Sequence, residues 1–126
     1  MIEISPAVIV HSLAHVRQAL APGLPVTLLS APGAAVYAGC LWWRQLLEEA
    51  AFANLALLDC ADAPGRALEA LKLGLTGIVL NCPPGSFAIV SEIAATQHAI
   101  LLPHAPKALD LAQHGAIRHL EAWLSG

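Results

Sequence analysis

The sequence predicts a single α/β domain built on an open, parallel, five-stranded sheet with helices on both faces. Three observations predict it. Short apolar runs recur at residues 7–10, 26–29, 55–58, 77–80 and 99–102. They lack in–out alternation, as strands covered on both faces do. Between them lie segments with apolar residues at helical spacing. The stretch LALLDCADAPGRALEALKLGLTGIVL, residues 55–80, holds a strand, a helix and a strand with almost no loop between them. A unit of that length is a right-handed crossover.

Strict alternation implies a parallel sheet. At 126 residues, enough for one core, the expected architecture is the flavodoxin-like, three-layer order 2-1-3-4-5. The alternative is half of a β/α barrel. ALEALKLGLTGIVL has the helix-to-strand rhythm of such barrels, but five units would leave a half-barrel open.

Each element has a local justification. The first strand ends at His11 and Ser12, and Ser12 can cap a helix carrying Leu13, Val16, Ala19 and Leu20. Ala21, Pro22 and Gly23 end that helix. The second strand ends at Ser30. The longest helix is expected over 34–53, with Tyr37, Leu41, Trp42, Trp43, Leu46, Leu47 and Phe52 nearly encircling it. A helix covering one sheet face needs only a stripe. Adjacent Trp42 and Trp43 point about 100° apart, so one can pack on the sheet while the other meets a partner or solvent. Tyr37, Trp42 and Trp43 are the candidate interface. In the central unit Asp62 is the expected N-cap, with Pro64 near the first helical position and Gly74 as the stop. A helix follows Ser86, and the last helix is expected from Lys107, with Gly115 dividing it.

Hydrophobic residues make up 57% of the chain and charged residues 12%. That excludes a disordered chain and leaves either a membrane span or an oligomer whose helices bury a second face. Prolines and glycines interrupt the charge-free segment 18–43, so no run of about 20 apolar residues survives. MIEISPAVIV has an acid and no basic n-region, so no secretory signal is read. Three cysteines without secretory context indicate free thiols. The net charge of −3 and the absence of a basic cluster exclude a nucleic-acid partner. The expectation is a cytoplasmic homo-oligomer.

Ligands of open parallel sheets bind beyond the C-terminal strand ends. The residues expected there are His11, Ser12, Ser30, Asp59, Cys60, Asp62, Asn81, Cys82 and His104. Neighbouring strands 3 and 4 would set Asp59 beside Asn81 and Cys60 beside Cys82, about 5 Å apart. Polar residues belong at strand ends on solubility grounds alone, so the rim is a candidate and no more. Specific chemistries each lack a part. A phosphorelay receiver would use Asp59 and Lys107, but it needs acids after strand 1, where His11 and Ser12 stand. HSLAHV is not a phosphate loop, and no Walker lysine follows Ser30. No C-x-x-C pair marks a metal site, and no G-x-S-x-G elbow marks a hydrolase. No cofactor or metal is therefore assigned. The expected function is a self-associating binding module with a small-ligand site at the rim. The alternative is a small-molecule hydrolase or lyase using Asp59, Cys60, Asn81, Cys82 and His104.

Overall fold

A computed structural model describes residues 3–126. Met1 and Ile2 lie outside the described residues, and with them part of the stretch read as no secretory signal. The chain runs β1 (Ala7–Ile9), α1 (Leu13–Leu20), β2 (Thr27–Leu29), α2 (Ala34–Tyr37), α3 (Cys40–Glu49), β3 (Ala56–Asp59), α4 (Pro64–Lys72), β4 (Gly77–Val79), α5 (Pro84–Thr96), β5 (Ile100–Leu102), β6 (Ala108–Asp110), a 3₁₀ turn (Ala116–His119) and α6 (Leu120–Leu124). It is an α/β domain with a parallel six-stranded sheet in the order β5-β4-β3-β2-β1-β6.

Local chemistry explains most boundaries. The Ser12 hydroxyl accepts the His15 N–H and caps α1. Pro64 opens α4, where its missing N–H is harmless. The cap position there is Ala63, not Asp62, and it makes no side-chain bond. Gly74, at φ 84°, ends the helix. The long helix expected over 34–53 is two helices, because Gly39 adopts φ 92° between them. That conformation is open to glycine and interrupts the ladder.

Two corrections concern the sheet. The flavodoxin-like order 2-1-3-4-5 is replaced by one in which β1 to β5 lie side by side in chain order. The helix expected from Lys107 gives way to β6, which pairs Ala7 with Ala108 and Ile9 with Asp110. The free edge of β1 supplies backbone partners that a helical start would forgo. The helical stripe survives only from Leu120.

The order determines where the helices go. Successive crossovers step in one direction, and crossovers of one hand then fall on one face. The main core contains buried residues from every α-helix, together with Val8, Leu28, Leu58, Cys60, Ile78 and Leu80 of the strands and their ends. The opposite face holds a separate cluster of Leu29, Leu57 and Val79, flanked by Ile4, Ile9, Leu55, Ile100, Leu102 and Ala108. None of these is helical. The expected third layer is therefore absent among the described residues.

Leu57 is nevertheless 0% exposed and Leu29 2%. Side chains with no layer over them reach that burial when the sheet curls around them. The chain path requires the same curl. In a flat sheet β5 and β6 would stand about 24 Å apart, five strand spacings. The link from Leu102 to Ala108 reaches about 20–22 Å at full stretch, and it bends at residues 103 and 104. The two edges must therefore approach each other.

The core separates the three candidate interface residues. Trp43 is 0% exposed and belongs to the main core. Trp42 is half-buried against it, with ring centroids 5.7 Å apart. Only Tyr37, at 69%, is freely exposed.

Candidate cleft at the strand ends

The expected rim residues separate into three groups. The first is structural. Ser30 is buried; its hydroxyl accepts the Asp59 N–H at 2.9 Å and donates to the Ala31 carbonyl. That ties the ends of β2 and β3 together. The Asp59 carboxylate accepts the Ala61 N–H at 2.8 Å, an Asx turn that holds Ala61 at φ 53°. Cys60 points into the helix-covered core and is fully buried. Burial first, then Cys40, Asp59 and Glu69, push its thiol up to about 12. Burial likewise pushes Cys40 up to about 11. Neither thiol offers a thiolate at neutral pH. Asp62 is exposed to solvent.

The register separates the expected pairs. Asp59 stands opposite Val79, not Asn81. The Asn81 N–H donates to the Ala61 carbonyl at 2.8 Å, two residues beyond Asp59. Cys60 donates its N–H to the Val79 carbonyl. It lies in the core while Cys82 lines a surface cleft, so the two cysteines do not sit side by side.

The second group does converge. Asn81, Cys82 and His104 line one cleft of about 380 Å³, with Leu80, Phe87 and Ser91. The Asn81 amide and His104 Nδ1 are 3.3 Å apart. The cleft sits where β4 gives way to α5 and β5 to the 103–107 link. Its wall is apolar, and its polar groups are few and adjacent. Cys82 is half-buried, and its thiol leans on the Pro83 carbonyl at 3.7 Å.

The third group is centred on His11, and the sequence reading missed its partners. His11 Nε2 lies 2.8 Å from Asp110 Oδ1. The same oxygen accepts the Ala112 N–H at 2.9 Å. His15 is half-buried. Its Nδ1 accepts the His11 backbone N–H at 3.1 Å, and the two rings meet edge to face at 5.5 Å. Burial opposes charge on Asp110, but the Ala112 N–H and His11 outweigh it and hold the carboxyl below its ordinary value. Burial, then His11, hold His15 below its ordinary value against the pull of Asp110. A signal for Asp110 was present: both Ala56–Asp59 and Ala108–Asp110 are apolar runs closed by aspartate. Each aspartate accepts the N–H two residues on.

Among the described residues, no three His, Cys, Asp or Glu side chains gather as a metal site, and no helix is long and apolar enough to cross a membrane. Fold and site together define an α/β domain with a one-directional parallel sheet and a cleft at its strand ends. Comparison with models of known protein families, with curated proteins and with solved structures finds no match.

Proposed function

We propose that this domain binds a small molecule in the Asn81–His104 cleft, within a half β/α-barrel-like wall. The observation that carries the reading is the cleft itself. Its volume of about 380 Å³ falls in the range of small-ligand sites, which are mostly apolar with a few convergent polar groups. It also lies at the C-terminal strand ends, where parallel α/β sheets place ligands. Phe87 and Pro84 would take an apolar body, and Asn81 and His104 a hydrogen-bonding head. A protein-observed NMR screen with small heteroaromatic acids and amides tests it. Hits should shift the amides of Asn81, Phe87 and His104 and weaken in His104→Ala. Hits that map elsewhere, or that ignore His104→Ala, would remove the reading. An enzyme using this site would rely on Asn81, Cys82 and His104, since the burial of Cys60 argues against that residue's taking part.

A second reading is self-association in the cytoplasm through the apolar patch at the α2–α3 junction. Val36, Tyr37 and Leu41 are 51%, 69% and 47% exposed, and clustered exposed apolar residues favour a partner. Sedimentation should give a dimer that Tyr37→Glu dissociates. A wild-type monomer at high concentration would end this reading.

A further inference from the structure

We propose that His11, His15 and Asp110 form a proton-operated latch on β6, and that its release moves the His104 wall of the cleft. Only the second half rests on the ligand reading.

Strand β6 is weakly held. It is three residues long, half-exposed throughout, and paired with β1 alone. Among the described residues no helix lies between β5 and β6. Beyond the short ladder, the Leu111 N–H donates to the Ile9 carbonyl at 3.1 Å, and Asp110 grips His11 at 2.8 Å. His11 is itself fixed from the other side, because its backbone N–H donates to His15 Nδ1 on α1. Three elements thus meet through one residue: β1 at its end, α1 through His15, and β6 through Asp110.

His15 is the group whose protonation breaks this arrangement. Its Nδ1 accepts only while it carries no proton. A proton there removes the acceptor, leaves the His11 N–H unpaired and sets a cation edge-on to the His11 ring. The titratable groups facing His15 are His11 at the end of β1 and Asp110 on β6. The second attracts the new charge but does not compensate for burial and His11, so the folded chain resists protonation of His15. The unfolded or undocked state binds that proton more readily. The latch is therefore intact above about pH 6.5 and loosens as pH falls through the folded value.

The link 103–107 connects the latch to the cleft. Pro103 and His104 line the cleft at its start, and β6 begins just after Lys107. Only five residues separate β5 from β6, so a displacement of β6 is carried along a short tether to Pro103 and His104.

Amide exchange at Leu109 and Leu111, expressed as protection factors, tests the latch. Protection should fall roughly three- to tenfold between about pH 7.5 and about pH 5.5, the scale of one lost hydrogen bond. His15→Asn, whose amide oxygen can still accept but cannot titrate, should abolish the fall. Asp110→Asn should lower protection at every pH. A pH-independent wild type, or a fall of equal size in His15→Asn, would overturn the latch. Iodoacetamide alkylation of Cys82, compared between wild type and His15→Asn at each pH, reads the cleft. The two rates should diverge in acid; rates that stay parallel while β6 loosens would overturn the coupling. Neither readout uses a ligand, so a cleft that binds nothing would sink the ligand reading and leave the latch standing.

Discussion

The outer and inner faces of the sheet are cut from the same strands, yet they bury their side chains by different means. Leu58 and Leu57 are consecutive and both fully buried. Leu58 lies in the core that the helices cover, Leu57 in a cluster made of strand and flanking residues alone. The outer face is buried by a second layer, the inner one by curvature. Curvature is the more fragile device, since it depends on strands approaching closely and on the β5 and β6 edges drawing together.

Gly77→Ala should be the most damaging single change to the inner face. A Cβ there would run into the backbone oxygen of Ala56 and meet the Leu55 and Leu57 side chains at 3.0 Å. Backbone cannot swing aside as a side chain can, so β3 and β4 would have to part. A loss of about 3 kcal/mol or more is expected, read by denaturant unfolding; an unchanged midpoint would mean the strands are not so close.

The pair Leu57→Ala and Leu58→Ala compares the faces directly. Both should cost about 2–5 kcal/mol, as deletions in closed cores do. If Leu57→Ala cost under about 1 kcal/mol, the inner face would be open to water and the curl wrong.

Trp43 tests the outer core. Its indole N–H is buried without a partner among the described residues. Trp43→Phe removes an orphaned donor worth about 1–3 kcal/mol along with some packing, so stability should stay within about 1 kcal/mol. Trp43→Ala should cost about 3–5 kcal/mol. Equal losses in the two variants would show that the indole nitrogen has a partner.

Asp110 gives the smallest effect. Its folded carboxyl ionises below the ordinary 3.8, so its contribution is full above that pH and lost as pH falls through the folded value. Asp110→Asn should lower stability by about 1 kcal/mol at neutral pH and flatten the acid limb of the stability profile. An acid limb of the same slope in the variant would place the titration elsewhere.

Much of this was legible in the residues. Five of the six strands, four of the helix positions, the Ser12 cap and the Pro64 and Gly74 boundaries follow from apolar runs, spacing and turn chemistry. So does the placement of Asn81, Cys82 and His104 at strand ends, where they meet in one cleft. Strand β6 was not legible, because three residues beginning Ala-Leu suit either a helix or a strand and only the free edge of β1 decides. The separation of Asp59 from Asn81 was hidden for a related reason: register is a property of two strands, and neither alone specifies it.

The sequence by itself determined the α/β grammar, the parallel sense of the strands and the polar character of the rim, because periodicity and capping act within a few residues. The tertiary structure alone decided the one-directional strand order, the curl that buries Leu57 without a covering layer, and the meeting of His11, His15 and Asp110. Those depend on which edge each strand joins, a choice made by long-range pairing and by the reach of a five-residue link rather than by any local preference.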